Sequence, residues 1–122
     1  MITGMHHFSI IAASEESASF YKSLGFSEFK RVERGHDTVV LLNGHGMWIE
    51  IFIDPRHPPR ATDPENRGLR NISLRVDNIE KTVEELGLEA GTTQIDWIGE
   101  RYCFVRDPDG LLGCVSKFES SA

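Results

Sequence analysis

Two cysteines in 122 residues are too few for the disulfide framework of a small secreted domain, so free thiols are expected. No stretch approaches the roughly 20 apolar residues that a membrane-spanning helix requires. Met1-Ile2-Thr3-Gly4 runs directly into a strand-like pattern without a leader of charged and then apolar residues. The expectation is a cytoplasmic protein with no membrane partner. Basic charge is also scarce, with 13 Lys and Arg against 19 Asp and Glu and a net charge of −6. That balance argues against nucleic acid, whose binders concentrate cations to displace counterions. The one local exception, Arg56, Arg60, Arg67 and Arg70, reads better as a solvated loop than as an anion site. No nucleophile stands at a recognisable spacing from a base. What remains, 39% apolar and 26% charged residues, is ordinary for one globular domain of this length.

The chain does contain a repeat. Met5-His6-His7-Phe8-Ser9-Ile10-Ile11 returns as Leu69-Arg70-Asn71-Ile72-Ser73-Leu74-Arg75, and Met47-Trp48-Ile49-Glu50 returns as Leu111-Leu112-Gly113-Cys114. The offset is 64 residues in both, which makes His7 equivalent to Asn71 and Glu50 to Cys114.

Each copy predicts the order strand, helix, strand, strand, strand. In the first strand Phe8, Ile10 and Ala12 face one way, and His7, Ser9 and Ile11 the other. Ser14 offers a helix N-cap, Glu15 and Glu16 suit the helix dipole, and Gly25 ends the helix. Strands follow at Ser27 to Arg34, Thr38 to Leu42 and Met47 to Ile53, with turns at Gly35 to Asp37 and Asn43 to Gly46. The stretch from Asp54 through Gly68 is rich in proline and charge and reads as a linker. The second copy predicts a strand from Arg70 to Val76, a capping box at Asp77-Asn78-Ile79-Glu80 and a helix from there to Leu86, stopped by Gly87. Strands near Gly91 to Trp97, at Arg101 to Arg106 and at Leu111 to Phe118 complete it, with Asp107-Pro108-Asp109-Gly110 as the last hairpin turn. The organisation is one domain of module 1 (residues 4–54), linker (55–67) and module 2 (68–119).

In the strand Met47 to Ile53 both faces are apolar except for Glu50, which stands between Trp48 and Phe52. Such a strand predicts cover on both sides: helices on one, and on the other a sheet curling round a pocket. Glu50 buried there is expected to be metal-bound, hydrogen-bonded or raised in pKa. By parity His7 and Ser9 share its face, and Asn71, Ser73 and Arg75 are their equivalents. A symmetric Asp107 to Gly110 turn sets Cys103 opposite Cys114, whereas a glycine bulge shifts the register by one and separates them. Two small space-filling residues are the preferred reading of this pair.

Taken in order, His6-His7-Phe8-Ser9-Ile10, Phe20-Tyr21-Lys22-Ser23-Leu24-Gly25-Phe26, Trp48-Ile49-Glu50-Ile51-Phe52, Gly68 to Asp77 and Arg101 to Gly110 resemble the vicinal oxygen chelate superfamily. This is the group of glyoxalases, bleomycin-resistance proteins and extradiol dioxygenases. The resemblance implies an α+β fold of two βαβββ modules forming a curved mixed sheet around a cavity, helices on the outer face, and commonly a homodimer. In the metal-dependent members the ligand positions correspond to His7, Glu50, Asn71 and Cys114. His7 and Glu50 match, while an amide and a thiol replace the usual His and Glu. In the relatives' dimer, each site pairs His7 and Glu50 of one subunit with Asn71 and Cys114 of the other.

An amide carbonyl is a weak neutral donor, and a thiolate suits zinc better than harder ions. The cofactor expectation is therefore none, or a weakly bound divalent metal, zinc for preference. The favoured reading is a pocket for a small, partly aromatic or apolar molecule, lined by Trp48, Phe52, Ser9, Asn71, Ser73, Arg75, Tyr102 and Phe104, with Trp97 nearby. The alternative is a metal-dependent glyoxalase-like lyase or isomerase using His7, Glu50 and Cys114, with Glu50 and His7 as the catalytic pair. A metal-free enzyme, with His7 or Glu50 as base and Arg75 or Arg101 as anion anchor, ranks below binding.

Overall fold

A computed structural model describes residues 1–110 and, for the backbone alone, 112–117. Its contacts divide the chain into two compact units, Met1–Pro59 and Arg60–Ala122. The first contains β1 (His7–Ala12), α1 (Glu15–Ser23), β2 (Ser27–Glu33), β3 (Thr38–Gly44) and β4 (Met47–Ile53). Its sheet runs β1-β4-β3-β2, with β1 parallel to β4 and the remaining pairs antiparallel. The second contains β5 (Asn71–Arg75), α2 (Ile79–Leu86), β6 (Gln94–Ile95), β7 (Arg101–Arg106) and β8 (Leu112–Lys117). Its sheet has the same plan, β5-β8-β7-β6, with β5 parallel to β8. The α+β class and the repeated element order read from the sequence are both present.

Local chemistry explains the elements. Ser14 caps α1 by accepting from the Glu16 amide at 3.2 Å. The helix closes with amides of Gly25 and Phe26 on the carbonyls of Lys22 and Tyr21. Gly25, at φ +100°, makes that reversal possible. Asn78 caps α2 through the Lys81 amide at 2.9 Å, and Gly87 ends it in the left-handed region. The expected capping box is corrected here: with Asn78 as cap, the third helical residue is Lys81, which cannot return an acceptor bond.

The β3–β4 hairpin turns on His45 and Gly46 alone, at φ +53° and +78°, a two-residue turn whose twist suits the strands. Asn43 and Gly44, expected in that turn, belong to β3. His45 tolerates the left-handed conformation because its Nε2 contacts the Leu24 carbonyl at 2.8 Å and its ring meets Phe26 edge-on. Gly44 must lack a side chain, since a Cβ there would lie 2.9 Å from the Phe26 ring.

The helix-facing side of the first sheet is its core. Val40, Leu42, Ile49 and Ile51 are fully buried, together with Ala18 and Tyr21 of α1, and each large aliphatic contributes about 1.5–3 kcal/mol by leaving water. In the second unit Ile79, Cys103 and Val105 are buried, with Val76, Val83, Leu88 and Ala90 packed round them.

Two further expectations are corrected, and the alternative left open for the last hairpin is decided. The strand expected at Gly91 to Trp97 shortens to Gln94–Ile95, because the Asp96 carboxylate accepts from the amides of Ile98 and Glu100, both at 2.9 Å, and turns the chain back. The β7–β8 register pairs Cys103 with Val115 and Phe104 with Cys114, so the cysteines are not opposite each other. Gly110, at φ +82°, extends the turn by the one residue that the bulged alternative required. Residues 54–68 are more than a linker. Asp54 is buried and accepts from the Arg56 backbone and side chain, while Thr62 and Glu65 form a β-bridge.

Candidate functional site

β4 is a central strand, so its outward face is built in rows across the first sheet. His7, Trp48 and Asn43 form one row, Ser9, Glu50 and Leu41 the next, and Ile11, Phe52 and Val39 the third. Residues paired across a ladder share a face, and the expected trio of His7, Ser9 and Glu50 is therefore brought together. His7 Nε2 lies 3.6 Å from Glu50 Oε1. Ser9 Oγ donates to the same oxygen at 2.9 Å. The burial expected for Glu50 is corrected: its side chain is 28% exposed, and the Ser9 hydroxyl and His7 supply the polar partners that such a carboxylate needs.

Aromatic groups surround this pair. His6 stands edge-on to both His7 and Trp48 at 4.9 Å, and Phe29 tilts against Trp48 at the same separation. His6 Nδ1 and His7 Nδ1 are 2.7 Å apart, within hydrogen-bond range. The Arg34 guanidinium lies 5.4 Å above the Phe52 ring. Asp37 holds that guanidinium with two hydrogen bonds, and Arg34 in turn keeps the Asp37 carboxyl below the usual range.

Phe29 and Arg34 were not read from the sequence. The signal for Phe29 is hidden by a register shift between Glu28 and Lys30, a bulge that breaks the alternation along β2.

The second sheet repeats the rows with other residues. Asn71 pairs with Leu112 and that with Arg106; Ser73 with Cys114 and that with Phe104; Arg75 with Ser116 and that with Tyr102. Tyr102 donates its hydroxyl to Gln94 Oε1 at 3.2 Å and meets Phe104 edge-on. Asn71 and Phe104 line a cavity of about 520 Å³ with Arg70, Glu89, Gly91 and Arg106. Those four are additions to the sequence reading. The side chain of Cys114 lies outside the described residues. Trp97, 94% exposed in the turn after β6, lines no part of this cavity.

Three of the four clustered arginines, Arg56, Arg60 and Arg70, are engaged in local structure. Arg56 binds the buried Asp54, which lowers the pKa of that carboxyl strongly. Arg60 donates to the Leu69 carbonyl. Arg70 grips Glu65 through Nε and Nη2, holding that carboxyl below its ordinary range.

For a divalent metal, the separation of His7 Nε2 and Glu50 Oε1 fits two corners of a tetrahedron with bonds of roughly 2.1 Å, about 3.4 Å apart. Among the described residues no cluster of three His, Cys, Asp or Glu stands ready to hold an ion. Nor is any helix among them long and apolar enough to cross a membrane.

Comparison with known proteins supplies the context. The Glyoxalase family model, described as the Glyoxalase/Bleomycin resistance protein/Dioxygenase superfamily, matches residues 4–115. The uncharacterized protein YwkD of Bacillus subtilis (strain 168) is 39% identical over 121 residues, spanning 91% of this chain and 94% of its own. A glyoxalase family protein from Enterococcus faecalis superposes with a TM-score of 0.84 at 29% identity, over 93% of this chain and 96% of its own. A bleomycin-binding protein solved with bleomycin superposes at a TM-score of 0.67 and 19% identity, over 96% of this chain and all of its own, a likeness of fold alone.

Proposed function

The chain belongs to the glyoxalase, bleomycin resistance protein and dioxygenase superfamily, and from this premise we propose that it binds a small, partly aromatic or apolar molecule beside a degenerate metal site. The observation that carries this reading is the half-exposed shelf of Trp48, Phe29, His6 and Phe52 around a single acid–imidazole pair. Flat rings stack on such a shelf, while His7, Ser9 and Glu50 offer polar groups to orient them. In the second unit Asn71, Ser73, Arg75, Tyr102 and Phe104 are the corresponding binding residues. The bleomycin-binding protein of the same fold shows that this architecture can hold a small molecule. We take the protein to be a cytoplasmic homodimer; sedimentation at micromolar concentration giving a 13.8 kDa species alone overturns the dimer.

The test uses the fluorescence of Trp48 in a Trp97→Phe background, so that one indole reports. Titration with naphthalene and indole is expected to quench it saturably, and Phe52→Ala to weaken the binding about tenfold or more, the scale of a stacking partner. Absence of any saturable change up to the solubility limit overturns the proposal.

One observation favours a second reading, a metal-dependent lyase or isomerase. The 3.6 Å approach of His7 and Glu50 suits two ligands of a divalent ion, with Cys114 as the expected third. The chemistry that a bound ion would supply there is polarisation of a substrate carbonyl. The protein's own part is proton transfer by Glu50 Oε2, since Ser9 and His7 both face Oε1. Stoichiometric zinc, lost in His7→Ala, distinguishes this reading from the first.

A further inference from the structure

The cavity of the second unit has a charge pattern that an apolar ligand alone does not use. Arg70 is already bound on two nitrogens by Glu65. Arg106 differs: its Nη1 donates to a neutral carbonyl, that of Gly110, at 3.2 Å. Glu89 lies on the strap that runs beside β7. Ala90 bridges Val105 in antiparallel sense and the Gly91 amide donates to the Phe104 carbonyl at 3.0 Å, which sets Glu89 opposite Arg106. Among the described residues neither of the two forms an ion pair within 4.0 Å, although the Arg106 charge helps, after Arg70, to lower the Glu65 pKa and both residues line the same cavity.

We propose that this cavity is a slot for a small zwitterion of the α-amino-acid type, its carboxylate on Arg106 and Asn71, its ammonium on Glu89 and its apolar side chain on the Phe104 ring. A guanidinium presents a planar fork that matches a carboxylate, and the Asn71 amide adds a neutral donor. A simple anion would face Glu89, and a simple cation would face Arg106. A ligand carrying both charges answers both. A volume of about 520 Å³ accommodates a molecule of this size. The inference rests on the reading that this face carries the ligand, and it narrows the class.

The test follows backbone amide resonances of Asn71, Gly91 and Arg106 in the full chain during titration with L-phenylalanine, phenylalaninamide and N-acetylphenylalanine. Saturable shifts with phenylalanine, weakened about tenfold or more when either charge is removed, are expected from charge-assisted hydrogen bonds. Arg106→Gln should abolish the preference over the amide, and Glu89→Gln the preference over the acetylated form. Arg106→Lys keeps the charge without the fork and should retain a reduced preference; the spectrum itself reports whether each variant is folded. Equal binding of all three probes, or no shifts at these amides, overturns the inference, and equal binding of phenylalanine and its acetylated form reduces the slot to an anion site and also overturns it. Quenching of Trp48 by neutral aromatics is independent of these outcomes, so failure here is distinguishable from failure of the binding reading above.

Discussion

The two units set different side chains on the same backbone plan. Where the first sheet has His7, Trp48 and Asn43 in one row, the second has Asn71, Leu112 and Arg106; where the first has Ser9, Glu50 and Leu41, the second has Ser73, Cys114 and Phe104. Repetition of strand order and register guarantees that a side chain stands at each place. It does not guarantee what that side chain can do. The first unit keeps an imidazole and a hydroxyl within reach of one carboxylate oxygen. The second offers guanidinium, amide and ring. On the proposed readings, the acid–imidazole pair belongs to the first copy and the charged slot to the second.

The comparison depends on β4 holding its outward row rigid, and the largest expected effect comes from loosening it. Ile51 lies between Glu50 and Phe52 but faces the core, fully buried. Ile51→Ala is expected to destabilise the protein by about 2–5 kcal/mol, read as a lower urea midpoint. Metal affinity gives the next contrast. Wild-type protein should take up zinc weakly, and His7→Ala should reduce that uptake by more than the roughly 10–100-fold attributed to an outer-shell partner. Asn71→Ala should change it little, because a neutral amide contributes little to a divalent ion. Equal losses in the two variants, measured by competition with a chromogenic chelator, would erase the distinction between the copies. Ser9→Ala removes the hydroxyl that orients Glu50 and should weaken zinc by about 10–100-fold at most. No change would mean that Glu50 is positioned without it.

Much of this contrast is legible in the sequence, for identifiable reasons. Strand parity puts His7 with Ser9 on one face of β1 and Glu50 with Trp48 on one face of β4, and the family resemblance implies the pairing of these two strands, which are regular and pair without a shift. The helix ends follow from Ser14, Asn78 and Gly87, whose capping chemistry is local. What could not be read depends on one-residue shifts. The bulge at Glu28 and Lys30 brings Phe29 under Trp48, and the longer turn before β8 moves Cys103 off Cys114. The strap that carries Glu89 past Arg106 is joined to β7 by an isolated bridge, too short to leave a periodic signal. His6 gave no parity signal because it precedes the strand.

The units also differ in how their helices are tied to the sheet, and acid is the way to expose it. In the first unit Glu28 of β2 receives Lys22 of α1 at 2.9 Å and two nitrogens of Arg31, while Arg31 also reaches Glu15 at the start of α1. These bonds, Arg31 first, lower the Glu28 pKa from 4.5 to about 2. A carboxyl with a folded pKa below its unfolded one stabilises the fold fully above the unfolded value, and the contribution disappears as pH falls from about 4.5 towards about 2. Among the described residues of the second unit, the corresponding ion pair is the exposed one of Arg101 with Glu80, whose carboxylate also accepts from the Thr93 hydroxyl. Glu28→Gln should therefore cost about 0.2–1 kcal/mol near neutral pH, the range of such pairs near a surface, and the difference from wild type should vanish at the acid end. Glu80→Gln should give a smaller difference throughout. Urea midpoints at a series of pH values measure both. Parallel curves for wild type and Glu28→Gln, with no convergence on acidification, would show that Lys22 and Arg31 around Glu28 contribute nothing beyond packing, and that the two helices are held alike.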